Sequence, residues 1–442
     1  MANLSKNQIN EIISLYKHQD YLLALERIEL LNKDFPKVPF LYNLSGACHQ
    51  SLGDFKSAAQ MFQYAVNINP EYYEAYKNLG ITLRFLGDFK ASIESFNTAI
   101  QLQPEYFDAH FNLASSLKAI GRNDDAIKRY QIAIQINSSY AEAHNNLGNL
   151  LKEAGQIDEA IECYLKSIEI KPDFEHAHNN LGAIFLDLEK YHDAINSFKS
   201  AIQNNPKLAA AHNNLGNSYK ALNCINEAIA SYQNAIDVSP NFAEAYLNLG
   251  TVFKQKNKKD KARIYFEQAY SLKPDLDFIL GDLVASRMQF CLWDGLDGLI
   301  NELKLKILKN QLTVNPFNLL GFVDDPILQK EAAQIFTNFR YPRVNNLQTI
   351  ERRKKQAKIK IGYFSSDFHN HATMHLMSEV FKLHNKSLFE IIAFSFGPNK
   401  QDDWRKKVVQ SFDSFIDVTK KSDYEISNMA RELKIDIAVD LK

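Results

Sequence analysis

A self-similarity with a period of 34 residues, seen seven times between Val38 and Leu276, constrains this chain more than any other feature. The repeats carry proline in one arithmetic series, with serine in a single slot: Pro36, Pro70, Pro104, Ser138, Pro172, Pro206, Pro240 and Pro274. Because proline cannot continue a helix, the series predicts that every unit ends a helix at the same point.

Two further slots recur in step with these prolines. A small-residue slot holds Gly46, Gly80, Ala114, Gly148, Gly182, Gly216 and Gly250. An aromatic slot in the second half of each unit holds Phe62, Phe96, Tyr130, Tyr164, Phe198, Tyr232 and Phe266. A small residue lets two helices approach closely, and the aromatic ring fills the groove between them. The pattern is typical of tetratricopeptide (TPR) helix pairs. We therefore predict an α-solenoid with seven TPR units over residues 39–276 and a degenerate capping unit over residues 1–38.

Length, charge and cysteine usage limit the other possibilities. The chain has 442 residues, which suits an array plus one more domain. Its 51 basic and 52 acidic residues create no net field for nucleic acid or an acidic membrane. The four cysteines are scattered without a CxxC pair, which indicates a reducing compartment. The N-terminal stretch lacks a signal-peptide core and no apolar run reaches transmembrane length, so we predict a cytoplasmic protein.

The pattern changes twice after the repeats. Residues 277–357 are predicted to be a helical transition region that ends in a basic run at 352–355, interpreted as a solvated linker. From residue 358, the apolar segments KIKIGYF, FEIIAFSF, FIDV and IDIAVDL alternate with helical segments. This alternation predicts crossover units and a parallel sheet. Since the chain stops on an apolar strand, we expect residues 358–442 to be an incomplete Rossmann-like lobe; a small complete four-stranded domain is the alternative.

The loop SSDFHNHATMHLM follows the first of these strands and carries His369, His371 and His375. Ligands bind outside the carboxyl ends of strands in such sheets. In one interpretation this is an ordinary helix start, where His369 is solvated and His375 packs. The second interpretation is a metal site, although the spacing of the histidines matches no common zinc-binding motif and no nearby Cys or Glu completes the ligand set. Acid–base or phosphate chemistry by one imidazole beside helix N–H groups is the third. The spacing alone leaves all three open.

The order of segments resembles a known family. A TPR array, the CLWDG segment, GYFSSDFHNHATMHL and then FIDVTKKSD are similar to the protein O-GlcNAc transferase and SPINDLY-like family, over roughly residues 39–442. The resemblance implies a GT-B type catalytic region of two Rossmann-like lobes. It also implies sugar transfer from UDP-GlcNAc, or GDP-fucose in the SPINDLY branch, to Ser or Thr of proteins, with inversion and without a metal or cofactor.

The same resemblance implies roles in the loop. His371 aligns with the family's active-site histidine, a proposed general base, and His375 with a second family histidine at the helix start. His369 lies at a variable position and receives no role, and Ala372 stands where many relatives have proline. The lobe that holds uridine and pyrophosphate would lie beyond residue 442. Because pyrophosphate stabilisation is a large electrostatic part of such catalysis, these residues alone are expected not to transfer sugar.

One asparagine slot recurs in the first helix of successive units: Asn78, Asn112, Asn146, Asn180, Asn214 and Asn248. An amide side chain complements a peptide group, so a row of them predicts binding of an acceptor polypeptide by its main chain, and the family is known for such a ladder. Alternatively, asparagine at this slot bridges neighbouring units and holds the stack. A histidine slot, with His110, His144, His178 and His212, is interpreted as packing between helices.

The sequence is compatible with two main functions. The first is a protein O-GlcNAc transferase type of enzyme, whose acceptor proteins lie along the concave TPR surface and whose His371 loop forms one wall of the cleft. The second is a non-catalytic TPR scaffold that binds peptides or partner proteins. A metal-dependent hydrolase is a distant third. A homodimer through the TPR array is compatible with either of the first two.

Overall fold

The computed structural model describes residues 4–340, 357–398 and 402–441, and the basic run at 352–355 lies outside the described residues. The chain divides into two compact units, Met1–Phe336 and Thr337–Lys442. Eight antiparallel helix pairs begin the first unit. They are α1 (Lys6–Lys17), α2 (Tyr21–Asp34), α3 (Pro39–Ser51), α4 (Phe55–Ile68), α5 (Tyr73–Phe85), α6 (Phe89–Leu102), α7 (Phe107–Ala119), α8 (Asn123–Ile136), α9 (Ala141–Glu153), α10 (Ile157–Ile170), α11 (Glu175–Asp187), α12 (Tyr191–Asn204), α13 (Ala209–Ala221), α14 (Ile225–Val238), α15 (Ala243–Gln255) and α16 (Lys259–Leu272).

Glycine in the first helix and an aromatic ring in the second make six of these eight pairs close-packed, and Ala114 takes the glycine's place in α7. A Cβ added to Gly46 would lie 2.7 Å from Phe62, and one added to Gly250 would lie 2.5 Å from Phe266. The same ring-over-glycine contact recurs at Gly80, Gly148, Gly182 and Gly216. All seven aromatic rings of the slot are at most 1% exposed. The period in the sequence therefore records one helix–helix contact repeated along the array.

The hydroxyl of each buried tyrosine in this slot has a polar partner fifteen residues earlier. Tyr164 donates to Asn149 over 2.7 Å, Tyr232 donates to Asn217 over 2.8 Å, and Tyr130 lies 2.9 Å from Ser115. Where the slot holds phenylalanine, the position fifteen residues earlier is Ala47, Ile81, Ala183 or Thr251. A buried hydroxyl needs a hydrogen-bond partner, whereas a phenyl ring does not, so every tyrosine of the slot has a polar partner there. Thr251, opposite a phenylalanine, instead donates its hydroxyl to the Leu247 carbonyl in its own helix.

First helices of successive units contact one another, for example α3 with α5 and α13 with α15. They form one layer of the solenoid, and the asparagine slot lies on that layer. The array continues into α17 (Ile279–Gln289), α18 (Leu296–Leu308), α19 (Pro316–Leu319) and α20 (Pro326–Arg340). Leu280, Val284, Leu303 and Leu319 join these last helices in one apolar core.

The second unit contains a four-stranded, all-parallel sheet in the order β3-β2-β1-β4. Its elements are β1 (Ile359–Ser365), α21 (Ala372–Leu383), β2 (Phe389–Ser395), α22 (Asp403–Val409), β3 (Ser414–Asp417), α23 (Asp423–Glu432) and β4 (Ile437–Asp440). Phe381 of α21 and Val408 of α22 pack on one face, and Ile426 of α23 on the other. The predicted solenoid and the predicted parallel α/β sheet are both confirmed.

Candidate functional site

The histidine loop joins β1 to α21 at the carboxyl end of the first strand, and His371 is the N-cap of α21. Its backbone is extended (φ −144°, ψ 153°), and Nδ1 of its side chain lies within hydrogen-bond distance of the Thr373 backbone N–H. Histidine is an unusual N-cap, because Ser, Thr, Asp and Asn are preferred there. The cap holds the imidazole beside the partial positive charge of a helix N-terminus, with 45% of the side chain exposed.

Thr373 and Asp367 surround Nδ1 of His371. Thr373 Oγ1 lies 3.0 Å from Nδ1 and the Thr373 backbone nitrogen 3.3 Å. Asp367 Oδ2 is 3.4 Å from the same nitrogen, and the Thr373 hydroxyl donates to that oxygen over 3.4 Å. In the described part of the chain, His371 Nε2 has no hydrogen-bond partner. The ring is therefore held through one nitrogen only.

Asp367 is itself held in place. Ser366 Oγ donates to its Oδ1 over 2.8 Å, and its backbone N–H donates to Ser365 Oγ over 3.0 Å. Ser365 is fully buried at the end of β1, and the Asp367 side chain is 18% exposed. The sequence prediction missed Asp367, although a carboxylate four residues before the candidate base was a usable signal.

His375 and Asn370 connect the loop to the start of α22. His375 Nε2 lies 2.9 Å from Asn370 Oδ1, and its ring packs on Trp404 with centroids 4.0 Å apart. The Asn370 backbone N–H donates to Asp402 Oδ2 over 2.8 Å, and Asp402 also caps α22. Hydrogen bonds from the backbone N–H groups of Asn370 and Arg405 hold the pKa of Asp402 below its ordinary value. His375 thus belongs to the framework that fixes the loop.

His369 is only 8% exposed, so the expectation that it is solvated is wrong. Its ring centroid lies 5.8 Å from that of His371, and its Nδ1 is buried without a hydrogen-bond partner in the described residues. Its backbone N–H donates to the Asp367 carbonyl over 2.6 Å, which closes a tight turn. The spacing of the histidines in the sequence could not predict that the turn buries His369 and exposes His371.

A buried arginine, Arg405, connects the His371 loop to the end of β2 by hydrogen bonds. Arg405 is 5% exposed; its Nη1 donates to the Phe368 carbonyl and to Ser395 Oγ, each over 3.3 Å. Its guanidinium lies over the Phe415 ring, 5.0 Å from the centroid. The sequence prediction gave Arg405 no role. Its spacing of three residues from the buried Val408 places it on the apolar face of α22, which was a signal for a buried cation.

Most of the predicted asparagine ladder bonds to the preceding TPR unit. Each Nδ2 donates to the Oδ1 of an asparagine 35 residues earlier, over 2.9–3.3 Å: Asn78 to Asn43, Asn180 to Asn145, Asn214 to Asn179 and Asn248 to Asn213. For Asn112 and Asn146 the residue 35 positions earlier is not asparagine but Lys77 and Phe111, respectively. Asn112 instead donates to its own helix and accepts from Arg84, and Asn146 accepts from Asn145.

The repeated histidines also bond between units. Each Nε2 lies 2.9–3.1 Å from the carbonyl oxygen six residues earlier, in the turn that ends the previous unit: His110, His144, His178 and His212. Burial lowers the pKa of His110. This geometry matches a structural role in the stack.

The structure offers no candidate metal centre among the residues it describes: no three or more His, Cys, Asp or Glu side chains converge there. Within the same residues, no helix is long and apolar enough to cross a membrane.

Residues 330–440 match the family described as Glycosyl transferase family 41. Residues 82–257 match a TPR repeat family in five overlapping segments, and residues 243–276 match a further tetratricopeptide repeat family. The resemblance to the protein O-GlcNAc transferase and SPINDLY-like family is therefore confirmed. The segment that matches family 41 contains the whole His371 loop, and it follows the segments that match TPR repeats.

Two curated relatives agree with this assignment. The chain is 29% identical over 167 residues to a protein of Arabidopsis thaliana named as a probable UDP-N-acetylglucosamine–peptide N-acetylglucosaminyltransferase SEC, which covers 34% of this chain and 17% of that protein. It is 34% identical over 62 residues to the UDP-N-acetylglucosamine–peptide N-acetylglucosaminyltransferase of Caenorhabditis elegans, which covers 14% and 5%. The chain thus spans a small part of each relative's length.

Among solved structures, the Cut9 and Hcn1 hetero-tetramer of the APC/C is 20% identical, covering 63% of this chain and 55% of that chain with a TM-score of 0.48. A likeness at this level carries no argument about function.

Proposed function

We propose that this chain is part of a protein glycosyltransferase that transfers a sugar from a nucleotide sugar, with UDP-GlcNAc as the donor, to Ser or Thr hydroxyls of proteins bound by the TPR array. The observation that carries the proposal is the placement of His371. It caps α21 at the carboxyl end of β1, inside the family 41 segment, with 45% of the side chain exposed. This is where ligands bind in open parallel sheets.

His371 is the proposed general base. A general base must present a lone pair to the acceptor hydroxyl. Nε2 is the available nitrogen, because in the described residues it has no hydrogen-bond partner, whereas Nδ1 faces Thr373 and Asp367. His375 is proposed to support the site through Asn370 and Trp404.

Acceptor binding is proposed for the layer of first helices. The bond to the preceding unit uses one Nδ2 hydrogen of Asn78, Asn214 or Asn248 and leaves an Oδ1 and a second hydrogen, which are the groups that a peptide bond complements. Asn180 differs, because its Nδ2 donates to both Asn145 and Asn149. The two interpretations of the ladder are therefore compatible at Asn78, Asn214 and Asn248.

The acceptor proposal predicts a graded effect along the ladder. Replacing Asn248 with alanine should weaken binding of an extended, fluorescently labelled acceptor peptide, measured by anisotropy. Asn180→Ala is the comparison, because both hydrogens of that amide are engaged within the stack and only its Oδ1 remains for a peptide N–H, so a smaller loss is expected. Net hydrogen bonds contribute about 0.5–1.5 kcal/mol each, so the expected loss is about 2- to 10-fold for Asn248→Ala. An equal loss in both variants would refute peptide binding by the free amide groups.

The 442 residues by themselves are proposed not to transfer sugar. The described residues contain one α/β sheet, and the family resemblance implies that the diphosphate of the donor is bound by a second lobe. Each preorganised donor to a developing negative charge is worth about 2.7–4 kcal/mol. Incubation of these residues with UDP-GlcNAc and an acceptor protein should give no product, and detectable transfer would refute this point.

The catalytic proposal is tested by a substitution that spares the helix cap. The protein purified from its own cells is incubated with UDP-GlcNAc or with GDP-fucose, and Ser and Thr residues of the acceptor are examined by mass spectrometry. His371→Asn keeps a good N-cap acceptor but removes the imidazole. His192→Ala, on the exposed face of α12, is the control. The proposal predicts addition of N-acetylhexosamine by the parent and the control but not by His371→Asn. Equal activity in all three would remove His371 from the mechanism.

A further inference from the structure

The protonation of His371 Nδ1 decides what Nε2 can do. A neutral imidazole carries one N–H, so Nε2 has a free lone pair only when the hydrogen is on Nδ1. Three groups lie within 3.4 Å of Nδ1: Thr373 Oγ1, the Thr373 backbone nitrogen and Asp367 Oδ2. The Thr373 hydroxyl and the Asp367 carboxylate can accept a hydrogen bond from Nδ1, whereas the hydroxyl and the Thr373 backbone N–H can donate one to it. The favoured tautomer is the one that leaves the fewest of these groups without a partner.

The carboxylate of Asp367 favours the tautomer with the hydrogen on Nδ1. An ionised carboxylate only accepts hydrogen bonds, and the Thr373 hydroxyl is within reach of its Oδ2. When that hydroxyl donates to Asp367, its lone pairs face Nδ1, which must then carry the hydrogen. In the opposite tautomer the Nδ1 lone pair would lie 3.4 Å from a negative oxygen, and the single hydrogen of the Thr373 hydroxyl could go to Nδ1 or to Asp367 but not to both. The gain of that tautomer would be the N-cap bond from the Thr373 backbone N–H, 3.3 Å long, which the Nδ1–H tautomer gives up in exchange for the contacts to the Thr373 hydroxyl and to Asp367.

We propose that Asp367 and Thr373 are positioning residues that keep the hydrogen on Nδ1 of His371, through the chain Nδ1–H to Thr373 Oγ1–H to Asp367 Oδ2, so that Nε2 is the basic nitrogen. The inference rests on the proposed function. In the transfer step Nε2 takes the proton of the acceptor Ser or Thr hydroxyl. That oxygen forms a bond to the anomeric carbon of the sugar, and the nucleoside diphosphate leaves with the electron pair of the broken C–O bond. Asp367 then faces an imidazolium, which it stabilises.

The two serines that precede Asp367 fix its carboxylate in this arrangement. Ser366 Oγ donates to Oδ1, which leaves Oδ2 for Thr373 and His371. The backbone bond to the buried Ser365 fixes the residue at the end of β1. Other titratable groups near the ring are His369, 5.8 Å away between centroids, His375, and Asp402 across the Asn370 backbone. None of these is within hydrogen-bond distance of His371 in the described residues.

The test reads the tautomer directly. Long-range nitrogen–proton correlation spectra of the 442-residue chain, labelled with nitrogen-15 only at histidine, distinguish Nδ1–H from Nε2–H. The His371 signals are assigned by their loss in His371→Asn. The parent is expected to show Nδ1–H. In Asp367→Asn the side-chain amide can donate to Nδ1, so His371 is expected to switch to Nε2–H.

Thr373 provides an independent variant if Asp367→Asn does not fold. Thr373→Val removes the hydroxyl and should reduce the Nδ1–H population, whereas Thr373→Ser retains the hydroxyl and should restore it. Glu379→Gln, at an exposed carboxylate of α21, should leave the tautomer unchanged. An Nε2–H tautomer in the parent, or an unchanged tautomer in both Asp367→Asn and Thr373→Val, would overturn the proposal.

Activity separates this inference from the proposed function. In the sugar-transfer assay, Thr373→Val should lower kcat and leave KM for the acceptor almost unchanged. Thr373→Ser, which keeps the hydroxyl, should retain the kcat of the parent. Asp367→Asn should lower kcat on the order of 10²-fold, as for loss of a general base. Transfer with full activity in both variants overturns the positioning role while the proposed function stands. Absence of transfer in the parent overturns the proposed function, and the tautomer measurement still decides the role of Asp367 and Thr373.

Discussion

The pairing of buried tyrosines with polar residues makes a quantitative prediction for the TPR array. Tyr232 is fully buried, and its hydroxyl donates to Asn217 Oδ1 over 2.8 Å. In Asn217→Ala the buried hydroxyl loses its partner, which costs about 1–3 kcal/mol. Tyr232→Phe removes the hydroxyl itself. Because Asn217 is only half-buried, water can replace the lost bond, and the cost is about 0.5–1.5 kcal/mol.

The double variant Asn217→Ala with Tyr232→Phe should therefore be more stable than Asn217→Ala alone. It recreates the combination that the preceding unit already has, where Phe198 faces Ala183. The converse variant Phe198→Tyr places a hydroxyl opposite Ala183 and should cost about 1–3 kcal/mol. The two units thus serve as controls for each other.

Hydrogen exchange measured by mass spectrometry is the suitable assay, because repeat arrays open locally and need not unfold as one unit. Amides of α13 and α14 should exchange about 5- to 150-fold faster in Asn217→Ala, and most of this increase should vanish in the double variant. Additive effects of the two substitutions would refute the coupling. A neutral Phe198→Tyr would refute the argument that the hydroxyl requires a partner.

Three further predictions concern close contacts and pH. Gly250→Ala would place a Cβ 2.5 Å from Phe266, so the unit should lose about 1–3 kcal/mol, visible as faster exchange in α15 and α16. Gly397→Ala would place a Cβ 1.7 Å from the Ser366 carbonyl oxygen, so the loop after β2 must move away from the His371 loop, and limited proteolysis there should accelerate. The lowered pKa of Asp402 means that its stabilising bonds are present above the ordinary aspartate pKa of about 3.9 and are lost as pH falls through the lower folded-state value. The Asn370 amide resonance should shift over that acid range in the parent and not in Asp402→Asn.

The fold was predictable because its main contacts repeat. A ring over a glycine is the same contact in six units, so a period of 34 residues was enough to identify it. The parallel sheet followed from strand–helix alternation. The strand order β3-β2-β1-β4 was not predictable, because alternation fixes crossovers and not the side on which each strand is added.

The site was predictable only in part. The resemblance pointed to His371, and the structure places it at a helix N-terminus beside a strand end. Asp367 and Thr373 were missed because their contact with Nδ1 depends on how a six-residue loop turns, and Arg405 was missed because its partners are a backbone carbonyl and Ser395, 37 and 10 residues away.

The bonds between units in the asparagine ladder bear on the proposed binding of an acceptor. Binding between units fixes the amide plane of each asparagine, because a single Nδ2 bond to the asparagine 35 residues earlier sets its orientation. A fixed amide loses little rotamer entropy when a peptide binds its remaining hydrogen and oxygen. The bond that stacks the units therefore preorganises the group that would hold an acceptor. Asn112 and Asn146, which lack that partner because Lys77 and Phe111 occupy the position, are the places where this preorganisation is absent.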